Sequence, residues 1–125
     1  QYGDGDPLRS TELAKTLLTG YPDLKGLFGN NEGSGEGVAQ ALREMNRTDV
    51  VGIGFDSSQL QQQAIRDGYL TGAILQNPYE MGYQAVRLGI AAANGEDVPN
   101  VVNTSFEYYD VSNIDDPDIA DRFYD

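Results

Sequence analysis

With 125 residues, the chain has the length of one ordinary domain or of part of a larger one. Twenty acidic against eight basic residues give a net charge of −12, which excludes phosphate-driven nucleic-acid binding and disfavours an anionic membrane surface. The absence of Cys and His removes disulfides, thiolate metal sites and any nucleophile served by a His base. No stretch approaches the roughly 20 apolar residues of a membrane span, and no charged-then-apolar leader opens the chain.

Asp6-Pro7 has the form of an N-cap followed by Pro at the first helical position. Leu13, Ala14, Leu17, Leu18 and Tyr21 then recur at helical spacing, predicting a helix over 7–19 stopped by Gly20 and Pro22. Residues 24–29 are short, apolar and bounded by turn formers, as in a buried strand. Val38, Ala41, Leu42 and Met45 mark the next amphipathic helix. Residues 49–55 have the unbroken apolar character of a parallel strand covered on both faces, which requires helices on both sides. Ser57 or Ser58 is placed to cap a helix carrying Leu60, Ala64 and Ile65 and ending at Gly68, and 71–76 reads as another strand.

After Asn77-Pro78, a narrow stripe of Gly82, Ala85, Val86, Gly89, Ile90 and Ala93 predicts a helix that admits close backbone approach, terminated by Gly95 and Pro99. Residues 101–109 are extended, and Asp116-Pro117 repeats the capping signature for a short helix ending near Phe123. Alternation of strand, turn and helix is the pattern of an α/β fold with a parallel sheet flanked by helices.

Three apolar stretches each lead to a side chain suited to gripping hydroxyl groups: 24–28 to Asn31, 50–55 to Asp56 and 73–75 to Gln76. In an open parallel sheet the carboxyl ends of the strands share one edge, where ligands bind. A carboxylate accepts from two adjacent hydroxyls, while Asn and Gln carry an acceptor and donors, the mixture a sugar needs. Each residue also has a plainer role: Asp56 as a helix cap, Asn31 as a turn former, Gln76 as a strand-end polar group.

Other chemistries fit less well. The glycine-rich stretch 29–37 joins a strand to a helix, but it lacks the Lys of a phosphate loop, and Glu32 and Glu36 would repel phosphate. Its glycines are expected to allow a tight turn and close helix-to-sheet packing. Asp4, Asp6, Asp115, Asp116 and Asp118 lack calcium-loop spacing, and capping by Asp6 and Asp116 explains them more simply. Neither a metal nor a cofactor is expected. A Glu32–Asp56 carboxylate pair is the one arrangement that would serve a sugar-active enzyme.

The segments Leu27-Phe28-Gly29-Asn30-Asn31-Glu32, Val51-Gly52-Ile53-Gly54-Phe55-Asp56 and Ile74-Leu75-Gln76-Asn77-Pro78-Tyr79-Glu80-Met81-Gly82 resemble the C-terminal part of periplasmic sugar-binding proteins of the ribose-binding type. The Asp-Pro helix and Tyr109-Asp110-Val111-Ser112-Asn113-Ile114-Asp115 extend the likeness over nearly the whole chain. The resemblance implies the C-terminal lobe of a type I periplasmic binding protein, incomplete as given. It implies a lobe core over 1–76, a helix and strand over 77–107 belonging to the absent N-terminal lobe, and a tail over 108–125 returning to the first lobe.

It further implies a monosaccharide held by Asn31, Asp56 and Gln76, hinge closure of two lobes and recognition by the permease of an ABC importer. The location implied is extracytoplasmic, periplasmic or anchored at the cell surface. Alone, the chain is expected to bind weakly or not at all, and either to pair with another copy through 77–107 or to refold that segment against its own sheet. Where the ribose-binding pattern has a stacking aromatic in its Asp-x-Asp segment, this chain has Gly5, so the sugar is left open. LacI-type repressor sensors share the fold and form the alternative; a helix-turn-helix encoded upstream would identify one.

Overall fold

The computed structural model describes residues 1–124. The chain divides into two compact units, one comprising 1–75 with 108–125 and the other 76–107. Elements follow in the order α1 (Pro7–Gly20), β1 (Gly26–Phe28), α2 (Glu32–Glu44), β2 (Val51–Phe55), α3 (Gln59–Arg66), β3 (Gly72–Gln76), α4 (Pro78–Ala93), β4 (Phe106–Asp110) and α5 (Pro117–Ala120). The four strands form one sheet in the order β1-β2-β3-β4. β1 runs parallel to β2 with Leu27 opposite Gly52, and β2 runs parallel to β3 with Gly54 opposite Ala73. This is the expected α/β architecture.

Local chemistry starts the helices as the sequence directs. The Asp6 carboxylate accepts from the Arg9 N–H at 2.9 Å, and Pro7 takes the first position of α1, where no donor is missed. Asn31 serves α2 in the same way. At α3 the expectation fails: Ser58 occupies the cap position without a side-chain cap bond, and the Ser57 hydroxyl instead meets the Tyr124 backbone, with the Tyr124 N–H 3.3 Å away. Asp116 likewise holds the cap position of α5 without a side-chain bond, and that helix ends at Ala120, short of Phe123.

The core of the first unit lies where α2 covers β1 and β2. Val38, Ala39 and Leu42 of α2 meet Ala64 and Ile65 of α3, Leu75 of β3, and Ala14 and Leu18 of α1, all buried. α1 and α2 pack backbone to backbone: a Cβ on Gly37 would stand 2.4 Å from the Ser10 Cβ, so only glycine fits. Glycines of the 29–37 stretch therefore serve close packing, as expected. On the surface Lys15 bridges Glu12 and Glu44 and so ties α1 to α2, a contact worth little beside the apolar interface.

Coverage of β2 differs from the sequence expectation. Its burial alternates, with Gly52 and Gly54 buried and Val51 51% exposed, the signature of a strand covered mainly on one side. Two glycines in a five-residue strand explain the misreading. They mimic a small apolar run while leaving room for Leu42, Leu70 and Gln61 to press against the backbone.

In the second unit α4 is capped by Asn77, whose Oδ1 accepts from the Glu80 N–H at 3.0 Å, while Glu80 accepts from the Ser105 N–H at 3.1 Å. Gly95, at φ +80°, ends the run beyond the helix. No residue of α4 is buried; Tyr83, Val86 and Ile90 are exposed. Residues 101–105 are irregular, and the expected extended segment shortens to β4.

Replacing Leu42 with Ala removes a fully buried side chain and is expected to lower stability by about 2–5 kcal/mol, whereas Val86→Ala should change it by less than about 0.5 kcal/mol. Urea unfolding followed by circular dichroism reads both.

Candidate functional site

Parallel pairing sends the carboxyl ends of β1 and β2 to the same edge, and the turns that follow carry Asn31 and Asp56. Asn31 caps α2, its Oδ1 accepting from the Ser34 N–H at 2.8 Å. The cap commits the carbonyl oxygen and leaves the Nδ2 amide as the group Asn31 can offer a ligand. Asn31 lines an open crevice of about 600 Å³ together with Tyr2, Asp4, Gly5, Phe28 and Asn30. Tyr2 and Phe28 expose aromatic surface there, on the side where Gly5 offers none.

Asp56 is not a helix cap. It sits at φ +67°, a left-handed conformation that side-chain-bearing residues rarely adopt. Two bonds hold it there: its N–H donates to the Ile74 carbonyl at 2.8 Å, and its carbonyl accepts from the Tyr109 hydroxyl at 2.7 Å. Tyr109 is fully buried and its ring lies 5.1 Å from that of Phe123. Burial, reinforced by the charges of Asp56 and Glu32, pushes the Tyr109 hydroxyl far above the usual phenol range, so it remains a donor.

Tyr124 lies beside the Asp56 carboxylate; burial first, then the proximity of that carboxylate, pushes the Tyr124 hydroxyl far up. Oδ1 is buried yet has no hydrogen-bond partner. A buried acceptor without a partner is costly and calls for a donor, and backbone strain at the same residue is the pattern of a functional position.

Glu32, the first residue of α2, links the two turns. Its carboxylate lies near Ser57 and Asp56 on the neighbouring turn. Desolvation, then repulsion from Glu36 and Asp56, holds its carboxyl above the usual range. The β1–α2 and β2–α3 turns are thereby brought together, and with them Asn31 and Asp56. Gln76 is the last residue of β3 and the first of the second unit. Tyr109 and Tyr124 escaped sequence reasoning, since nothing in an extended segment or a terminal tail distinguishes a tyrosine that supports a distant carboxylate. Among the described residues no group of His, Cys, Asp and Glu is arranged to hold a metal ion, and no helix is long and apolar enough to cross a membrane.

Residues 1–97 match the family model described as "Periplasmic binding protein domain". The ribose import binding protein RbsB of Escherichia coli K12 is 31% identical over 98 residues, 78% of this chain and 33% of that protein. A solute-binding protein of Agrobacterium vitis bound to α-D-tagatopyranose superposes with a TM-score of 0.92 at 28% identity, covering 100% of this chain and 42% of that one. A carbohydrate transporter solute-binding protein of Agrobacterium radiobacter, in complex with D-arabinose, gives 0.88 at 31% identity, covering 98% of this chain and 42% of that one. The chain thus spans about a third of the length of the curated relatives it matches. These relatives are sugar-binding transport receptors, not enzymes.

The raised carboxyl of Glu32 sets a pH dependence. A folded pKa above the unfolded one contributes stability at acid pH that is lost as pH rises through the folded value. Glu32→Gln, which removes the buried charge and its repulsion, should raise the melting temperature at pH 7. The gain should fade as pH falls through the raised folded value and be gone by about pH 4, where the carboxyl is protonated in both folded and unfolded chains. The family match over residues 1–97 and the three-strand parallel core with its carboxyl-edge turns identify the chain as a member of the periplasmic binding proteins of the ribose-binding type.

Proposed function

We propose that the chain is the C-terminal, ligand-contacting part of an extracytoplasmic receptor that delivers a monosaccharide to the permease of an ABC importer. The observation that carries this reading is the buried, unpartnered Oδ1 of Asp56, held at a strained backbone position on the carboxyl edge of the sheet. A sugar hydroxyl is the donor this acceptor lacks. Asn31 adds an amide donor on the neighbouring turn, and Gln76, ending β3, adds an amide with both donor and acceptor.

In the whole receptor a second lobe closes on the sugar about a hinge, and the closed state is the one the permease recognises. The second unit, 76–107, belongs with that other lobe, which accounts for a helix with no buried residue and an exposed apolar face. The sugar-bearing relatives support import rather than a repressor's effector sensing or sugar hydrolysis. Taken alone, the chain contributes part of the binding groups and binds weakly. Its exposed α4 face drives self-association, so light scattering of the isolated chain should show a mass above that of one copy; a monodisperse monomer would refute this.

A thermal-shift panel of D-ribose, D-arabinose and D-tagatose on the natural protein containing this chain tests the reading. At least one sugar should raise the melting temperature, because a ligand that binds only the native state stabilises it. Asp56→Ala should abolish the shift, a loss of about 1.5–3 kcal/mol of binding through its charge-assisted bonds. A shift that survives the substitution removes Asp56 from the site.

A further inference from the structure

We propose that Gln61 is a positioning residue for the Asp56 carboxylate, its side-chain amide replacing the strand that β1 does not supply beside the end of β2. The proposal rests on the reading of Asp56 as a sugar contact. Successive residues of a parallel strand turn their peptide groups alternately to the two neighbours. On the β1 side, the Val51 N–H donates to Lys25 and the Ile53 carbonyl accepts from Gly29, both at 2.9 Å. On the β3 side, the Gly52 carbonyl accepts from Thr71 and the Asp56 N–H donates to Ile74, both at 2.8 Å. Phe55, two residues beyond Ile53, turns toward β1, but β1 ends at Phe28 and the chain has already turned into α2.

Gln61 supplies both missing partners. Its Oε1 accepts from the Phe55 N–H at 3.1 Å, and its Nε2 donates to the Phe55 carbonyl at 2.8 Å, as a neighbouring peptide would. The side chain is 0% exposed. Its seat is built for it: a Cβ on Gly54 would lie 2.0 Å from Oε1, and one on Gly35 2.3 Å. Such a built seat separates Gln61 from Gln62, which only reaches the Ser57 carbonyl at 2.7 Å, and from Gln63, which bonds Asp67 at the surface.

The consequence falls on the next residue. The peptide joining Phe55 to Asp56 is gripped at its carbonyl by Gln61 and at its N–H by Ile74, and the following carbonyl is gripped by Tyr109. Asp56 is thus pinned from both sides at φ +67°, with the direction of its side chain set by the clamp. The same replacement frees β1 to stop early, which leaves the carboxyl edge open beside Asn31 with no backbone group of Phe55 left unpaired.

A double-mutant cycle with backbone exchange tests this. Affinities for D-ribose and D-arabinose are measured by calorimetry on the natural protein containing this chain, unsubstituted and as Gln61→Met, Asp56→Asn and the double variant. Met fills the seat without either hydrogen bond. Gln61→Met should weaken binding about ten-fold alone and less than about two-fold on top of Asp56→Asn, because its effect passes through the carboxylate. Equal weakening in both backgrounds, or no weakening in either, overturns the proposal.

Amide exchange read by NMR gives an independent check that does not need a folded variant. In the unsubstituted protein the Phe55 N–H should exchange as slowly as the Val51 N–H; exchange at the rate of an open amide overturns the clamp. Undiminished sugar binding by Asp56→Asn overturns the sugar reading and the positioning role together, and the Phe55 exchange rate tells that result from failure of the clamp alone.

Discussion

Parallel pairing of β2 with its two neighbours is the constraint on which the site depends. Parallel strands need helical crossovers, so β1, β2 and β3 point the same way and the turns that follow them emerge at one edge. Two residues 25 positions apart in sequence, Asn31 and Asp56, come to adjacent turns for that reason alone. The small side chains of β2 are part of the same constraint. Gly52 and Gly54 let Leu42 and Gln61 approach the strand more closely than any Cβ would permit.

At the edge, stability is given up locally and recovered through hydrogen bonds. Asp56 adopts a conformation that costs roughly 1–2 kcal/mol for a residue with a side chain, and its Oδ1 is buried without a partner. The bond its N–H donates to Ile74 and the one its carbonyl accepts from Tyr109 secure the residue, and neither consumes Oδ1. Acidic groups are concentrated here as well, since Asp56 stands close enough to Glu32 for its charge to raise the Glu32 carboxyl. This edge therefore combines one buried, unpartnered acceptor with a concentration of negative charge that disfavours anions.

The two units obey different packing logic. The first has a contiguous apolar core running from Ala14 and Leu18 through Leu42 and Ile65 to Tyr109. In the second, α4 carries its apolar and small residues on an exposed face, held at its start by the Asn77, Glu80 and Ser105 bonds. A helix of this kind has the composition of a buried element without the burial, and its stripe of small residues marks a surface that accepts close approach.

Much of this was legible in the residues themselves. Helix starts at Asp6-Pro7 and Asn77-Pro78, the strand–helix alternation and the polar residues ending each apolar stretch all follow from local chemistry: fixed φ at proline, capping oxygens and periodicity of burial. What a side chain does after the chain has folded was not legible. Gln61 sits in a run of three glutamines with nothing local to mark it out, Ser57 and Asp116 have capping chemistry that is not used, and Tyr109 is one aromatic among several in an extended segment. Their roles depend on partners 6 to 67 residues away, which only tertiary contact brings within hydrogen-bond distance. Sequence by itself determined which elements form and which edge they share; tertiary structure decided which polar atoms there are satisfied and which one, Oδ1 of Asp56, is buried without a partner.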